Sequence, residues 1–128
     1  MKARHVAASS ALIGIALGAV AIQGLHAQAK PPAYVVVAIQ SITDAAGLRT
    51  VAEKAAPGAL AAAGGRYLIR TNDVTGFNGT PPKRFVVIAF DSVERAQAWR
   101  DSPAQKEIEA IRLKSTESVS FMVEGTAN

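Results

Sequence analysis

Residues 84–90 read Arg-Phe-Val-Val-Ile-Ala-Phe, and residues 34–40 read Tyr-Val-Val-Val-Ala-Ile-Gln. Both runs are rich in β-branched residues and too short for an ordinary helix, so each reads as a strand. Neither alternates between apolar and polar. Val86, Ile88 and Phe90 oppose Phe85, Val87 and Ala89, and Val35, Val37 and Ile39 oppose Val36 and Ala38. Strands apolar on both sides belong at the centre of a sheet whose two faces are both covered.

Two flanking runs do alternate, as edge strands should. Over residues 66–73, Tyr67, Ile69 and Thr71 oppose Arg66, Leu68, Arg70 and Asn72; over residues 118–124, Val119, Phe121 and Val123 oppose Ser118, Ser120 and Glu124. Helical spacing fills the intervals. Leu48, Val51, Ala52, Ala55, Ala59 and Ala62 recur along residues 44–63 behind a cap at Thr43 or Asp44. Pro57 should break that helix near Lys54, and Gly64-Gly65 ends it. Gly76, Gly79, Pro81 and Pro82 mark an irregular loop. Asp91 or Ser92 caps a further helix carrying Val93, Ala96 and Trp99, and Ser102 caps a new start at Pro103 that continues through Ala104, Ile108 and Ile111.

The order is β-α-β-β-α-β. It specifies an α+β, ferredoxin-like fold with a four-stranded antiparallel sheet and helices on one face. The other face then exposes Val, Ile or Phe from the central strands, a patch of the kind monomers avoid. A second copy packed sheet to sheet would cover it, so the pattern predicts a symmetric homodimer.

The amino terminus has a different character. Lys2, Arg4 and His5 precede an uncharged apolar run over residues 11–22, followed by Leu25-His26-Ala27-Gln28-Ala29. A basic start, a short apolar stretch and small residues at the end describe a cleavable secretory signal peptide, cut after Ala27 or after Ala29. The run is shorter than the about twenty residues that span a bilayer, so stable membrane insertion after cleavage is not expected. The organisation is a signal peptide over 1–29, a linker over 30–33, one domain over 34–125 and a tail over 126–128, with a periplasmic or secreted destination.

Composition narrows the chemistry. The formal charge of +4 falls to +2 without Lys2 and Arg4, and the remaining basic residues are scattered, so a nucleic-acid face is not expected. Cysteine is absent, and both histidines, His5 and His26, lie in the leader. The processed chain would therefore lack thiol nucleophiles, Ser–His and Cys–His pairs and the usual ligands of zinc, copper and haem. No cofactor and no metal are expected.

Gly64-Gly65-Arg66-Tyr67-Leu68, the run from Phe85 to Glu94, Ala98-Trp99, Ser102-Pro103 and Val123-Glu124-Gly125 together resemble the domain-of-unknown-function family 1330. The resemblance covers nearly all of 34–125. It implies a dimeric α+β barrel and brings no established activity. Ala104 and Gln105 stand where the family commonly carries Glu and Tyr, and Asn78 stands where an acidic residue is usual. A family site built on those polar groups would be weakened here.

Several residues are candidates for a ligand site. Arg66, Arg70 and Asn72 share one face at period-two spacing; with Gln40 and Ser120 they would line the mouth of a cleft for a carboxylate or phosphate. The same charges would also protect an edge strand from aggregation. Trp99 offers a ring to stack on a ligand or to anchor a core, and Tyr67 offers a hydroxyl.

Three functions fit. One is a non-enzymatic barrel that binds a small, anionic ligand in the periplasm. Another is a cofactor-independent enzyme of oxygenase or isomerase type, which rests on fold analogy. A purely structural dimer is the third. Enzymatic activity is left open.

Overall fold

The first strand of the computed structural model, β1 (Ala33–Ile42), pairs antiparallel with both β3 (Arg84–Phe90) and β4 (Thr116–Glu124), and β2 (Gly65–Thr71) pairs with β3. The strand order is β2-β3-β1-β4, which puts the two doubly apolar strands in the middle. The structure describes residues 30–126, so the signal peptide read over 1–29 lies outside the described residues.

The helical regions break where their sequence dictates. Asp44 caps α1 (Ala45–Lys54), its carboxylate accepting from the Ala46 and Gly47 amides at 3.1 and 3.2 Å. Pro57 opens a separate short helix, α2 (Pro57–Ala62), because its missing N–H costs nothing in a first turn. Gly64 follows with φ of 86°, a left-handed turn that a side chain would strain. Ser92, rather than Asp91, caps α3 (Val93–Asp101), and Ser102 caps α4 (Pro103–Ser115).

The helices lie on one face of the sheet. There Val35, Val37 and Ile39 of β1 and Val86, Ile88 and Phe90 of β3 form a core with Leu60 of α2 and Ala96 of α3. Tyr34, Val36 and Ala38 take the opposite face with their partners Phe85, Val87, Ala89, Val119, Phe121 and Val123. The centre of that face is buried at Val36 and Ala38, while Val119, Phe121 and Val123 along β4 remain about half exposed, at 54, 50 and 46%.

One strand departs from its expected pleat. Tyr67 pairs with Ile88 but Ile69 pairs with Val87, so Leu68 and Ile69 together oppose a single residue of β3. This β-bulge reverses the alternation beyond it. Arg66, opposite Ala89, faces away from the helices, whereas Arg70, opposite Val86, lies beneath them. The expected common face of Arg66 and Arg70 is thus corrected, and Tyr67 and Arg70 share a side instead.

Candidate functional site

Between the helices and strands β2, β3 and β1 lies a cavity of ≈ 70 Å³. Val37, Ile39, Val86 and Ile88 form its floor, Leu48 and Val51 of α1 and Ile108 of α4 its roof, and Trp99 one end. Three guanidinium groups, from Arg70, Arg84 and Arg112, also line it, and no carboxylate does. A wider recess of ≈ 410 Å³ adjoins it through Leu48, Ala52 and Arg84 and adds Arg49, Lys83 and Asn72. A third, of ≈ 110 Å³, adjoins it through Ala55, Tyr67, Trp99, Gln105 and Ile108.

Each cation is placed by its strand or helix. The bulge at Leu68 turns Arg70 inward, where its guanidinium carbon sits 4.6 Å from the Tyr67 ring centroid and its Nη2 donates to the Ala52 carbonyl at 3.3 Å. Arg84 opens β3 on the face it shares with Val86 and donates from Nη1 to Asn72 Oδ1 at 2.8 Å. Burial pushes Arg84 below its ordinary pKa, and repulsion from Arg70 adds to that. The Tyr67 hydroxyl donates to the Ala55 carbonyl at 2.6 Å and is held above its ordinary pKa by burial, against the pull of Arg70 and Arg84.

Arg112 is the most constrained of the three. It is only 6% exposed, and its buried Nε has no hydrogen-bond partner. Its nearest counter-charge, Glu109 one turn earlier on α4, stands 3.9 Å from Nη2, beyond hydrogen-bond length. Burial lowers its pKa, with Glu109 opposing the shift. A buried, under-partnered guanidinium costs the fold several kcal/mol unless an acceptor reaches it.

The expected site residues are therefore divided. Arg70, Tyr67 and Trp99 meet at the cavity, and Asn72 stands in its mouth. Trp99 also anchors the core, its ring 5.2 Å from that of Phe90. Arg66 is exposed on the opposite face, Gln40 is exposed beside an irregularity in the β1–β4 pairing, and Ser120 borders a separate recess with Ala96, Arg100 and Met122. The sequence reading placed neither Arg84 nor Arg112 in a site, although each carried a signal. Arg84 has the parity of Val86 and Ile88, and Arg112 stands four residues beyond Ile108 on the apolar stripe of α4. Among the described residues, no three of His, Cys, Asp or Glu gather as metal ligands do.

Comparison with solved structures places the fold among proteins of very different sequence. A protein of unknown function from Rhodopseudomonas palustris superposes with a TM-score of 0.61 at 11% identity, over 76% of this chain and 84% of that one. A dimeric ferredoxin-like protein of unknown function from Thermobifida fusca gives 0.56 at 16% identity, over 74% and 92%. SnoaB, a cofactor-independent oxygenase from Streptomyces nogalater, gives 0.50 at 10% identity, over 77% and 96%. No curated protein matches the chain. The family described as domain of unknown function (DUF1330) matches residues 32–126, nearly the whole folded unit, and the chain belongs to that family.

Proposed function

We propose that this chain is an exported, homodimeric small-molecule-binding protein whose ligand carries a negative charge and sits between the helices and the sheet of each subunit. The observation that carries the reading is Arg112. Its buried Nε lacks a partner beside a cavity that Arg70 and Arg84 also line and that no carboxylate lines. An anionic ligand would supply the missing acceptor and relieve the mutual repulsion of the cations. The apolar walls would hold its organic part.

The half-exposed row of Val119, Phe121 and Val123 supports pairing through the opposite face. The basic start and the apolar run before Ala27 and Ala29 support export. The oxygenase reading keeps only its fold analogy, because the Tyr67 hydroxyl is committed to the Ala55 carbonyl.

Trp99, the sole tryptophan, makes the site its own reporter. Acetate, inorganic phosphate and larger carboxylates, titrated at constant ionic strength, should change its emission and raise the melting temperature more than chloride does. Arg84→Gln should weaken both responses. Equal behaviour in all anions would overturn the reading. Protein recovered from the periplasm should begin at Gln28 or Lys30; an intact Met1 would remove the export part.

A further inference from the structure

The cavity has two unlike ends. Arg84 pairs with Ile39, Arg70 with Val86 and Tyr67 with Ile88, while Phe90 at the far end of β3 packs on Trp99. From Arg84 to Ile88 the strand advances about 13 Å. Arg112 belongs to the Arg84 end, since it lies one turn before Ser115, whose carbonyl accepts the Thr43 and Asp44 amides just past β1. Ile108, a turn earlier, lines the ≈ 110 Å³ recess at the Trp99 end. Arg49, Lys83 and Arg84 stand at the wide mouth and Arg70 and Arg112 line the waist beside it, while the far recess is walled mainly by Ala55, Ala59, Leu60, Ala63 and Trp99, its one cation, Lys54, being paired with Glu107 at 3.2 Å.

Between these ends the waist holds only ≈ 70 Å³. A dry cavity that accepts benzene measures about 150 Å³. A ring must be held whole in one compartment, and neither the ≈ 70 Å³ waist nor the ≈ 110 Å³ recess reaches that volume, whereas an unbranched chain divides itself between the two. Resting on the anion-site reading above, we infer that the ligand is an unbranched, medium-chain alkyl carboxylate. Its carboxylate is held where the mouth meets the waist, by Arg84, Arg70 and Arg112, and its chain runs on toward Trp99. An aromatic acid would gain nothing from the inner recess.

Calorimetry and Trp99 emission on the processed full chain, with butanoate, hexanoate, octanoate, benzoate and 1-octanol as probes, test this. Affinity should rise about fourfold for each added methylene, the increment expected of a buried CH₂. Benzoate should bind no better than butanoate, and 1-octanol at least about tenfold more weakly than octanoate for want of the charge-assisted hydrogen bonds. Ala55→Leu, which narrows the waist, should abolish the gain from butanoate to octanoate while leaving butanoate bound. Benzoate binding as tightly as octanoate, or affinity independent of chain length, overturns the alkyl inference and leaves the anion site standing. Failure of every carboxylate to bind overturns both. Arg112→Ala should weaken octanoate binding about tenfold or more; should it fail to fold, Arg84→Gln supplies the charge test, and undiminished octanoate binding there counts against the proposal.

Discussion

The guanidinium carbon of Arg70 lies 4.6 Å from the centroid of the Tyr67 ring, although the two residues stand an odd number of positions apart on one strand. Regular pleating would send them to opposite faces. The bulge at Leu68 restores them to one face, beneath the helices. The cation thereby leaves the solvated edge and enters the cavity wall, where the tyrosine ring and the Ala52 carbonyl hold it. The place of Arg70 in the cavity wall depends on this single inserted residue.

Arg84→Gln should lower the protein's response to anions without lowering its stability at low salt. The substitution removes repulsion from Arg70 and keeps a polar group within reach of Asn72. Loss of one charge-assisted hydrogen bond should weaken anion binding about tenfold or more. Melting curves in chloride and in octanoate, compared between the two proteins, check both parts.

Tyr67→Phe should cost about 0.5–1.5 kcal/mol near neutral pH, through loss of the bond to the Ala55 carbonyl. It should also alter the alkaline limb. Burial raises the hydroxyl above its ordinary value of 10.0, so folding favours the neutral form. That stabilisation is complete below the unfolded value and fades as pH rises through the folded one. Urea midpoints at about pH 8 and about pH 11 should therefore fall more steeply in the parent protein than in the variant.

Gly65→Ala should destabilise the domain by about 1–3 kcal/mol. A β-carbon there would stand 2.8 Å from both Leu60 Cδ1 and Phe90 Cε1, two buried side chains with little room to retreat. A drop of several degrees or more in melting temperature is the expected result.

Under the proposed pairing, Phe121→Asp should separate the subunits. The ring is half exposed on the face opposite the helices, between Val119 and Val123 on β4. A carboxylate buried at a sheet-to-sheet interface would lose its water without gaining a partner. Sedimentation velocity should give a dimer for the parent and a monomer for the variant; a monomer for both would sink the pairing.

Much of the fold was legible in local pattern. The double-sided runs at 34–40 and 84–90 identified the central strands, and Pro57, Gly64, Ser92 and Ser102 marked the ends of helices through constraints each residue carries in its own backbone or side chain. The face of Arg70 was not legible. Residues 66–72 alternate cleanly as written, and nothing local says that Leu68 and Ile69 will share one partner. Register belongs to a pair of strands, so only the pairing with β3 decided which arginine turned inward.

Arg112 follows the same logic on a helix. Its place on the stripe of α4 is periodicity, which any window of sequence contains. Its burial, and the lack of a protein partner for its Nε, arise only when α4 settles against the sheet beside α1. The sequence by itself determined the elements, their order and the apolar residues on both sides of the central strands. The tertiary structure alone decided where the cations converge, because convergence is a relation among segments far apart in the chain.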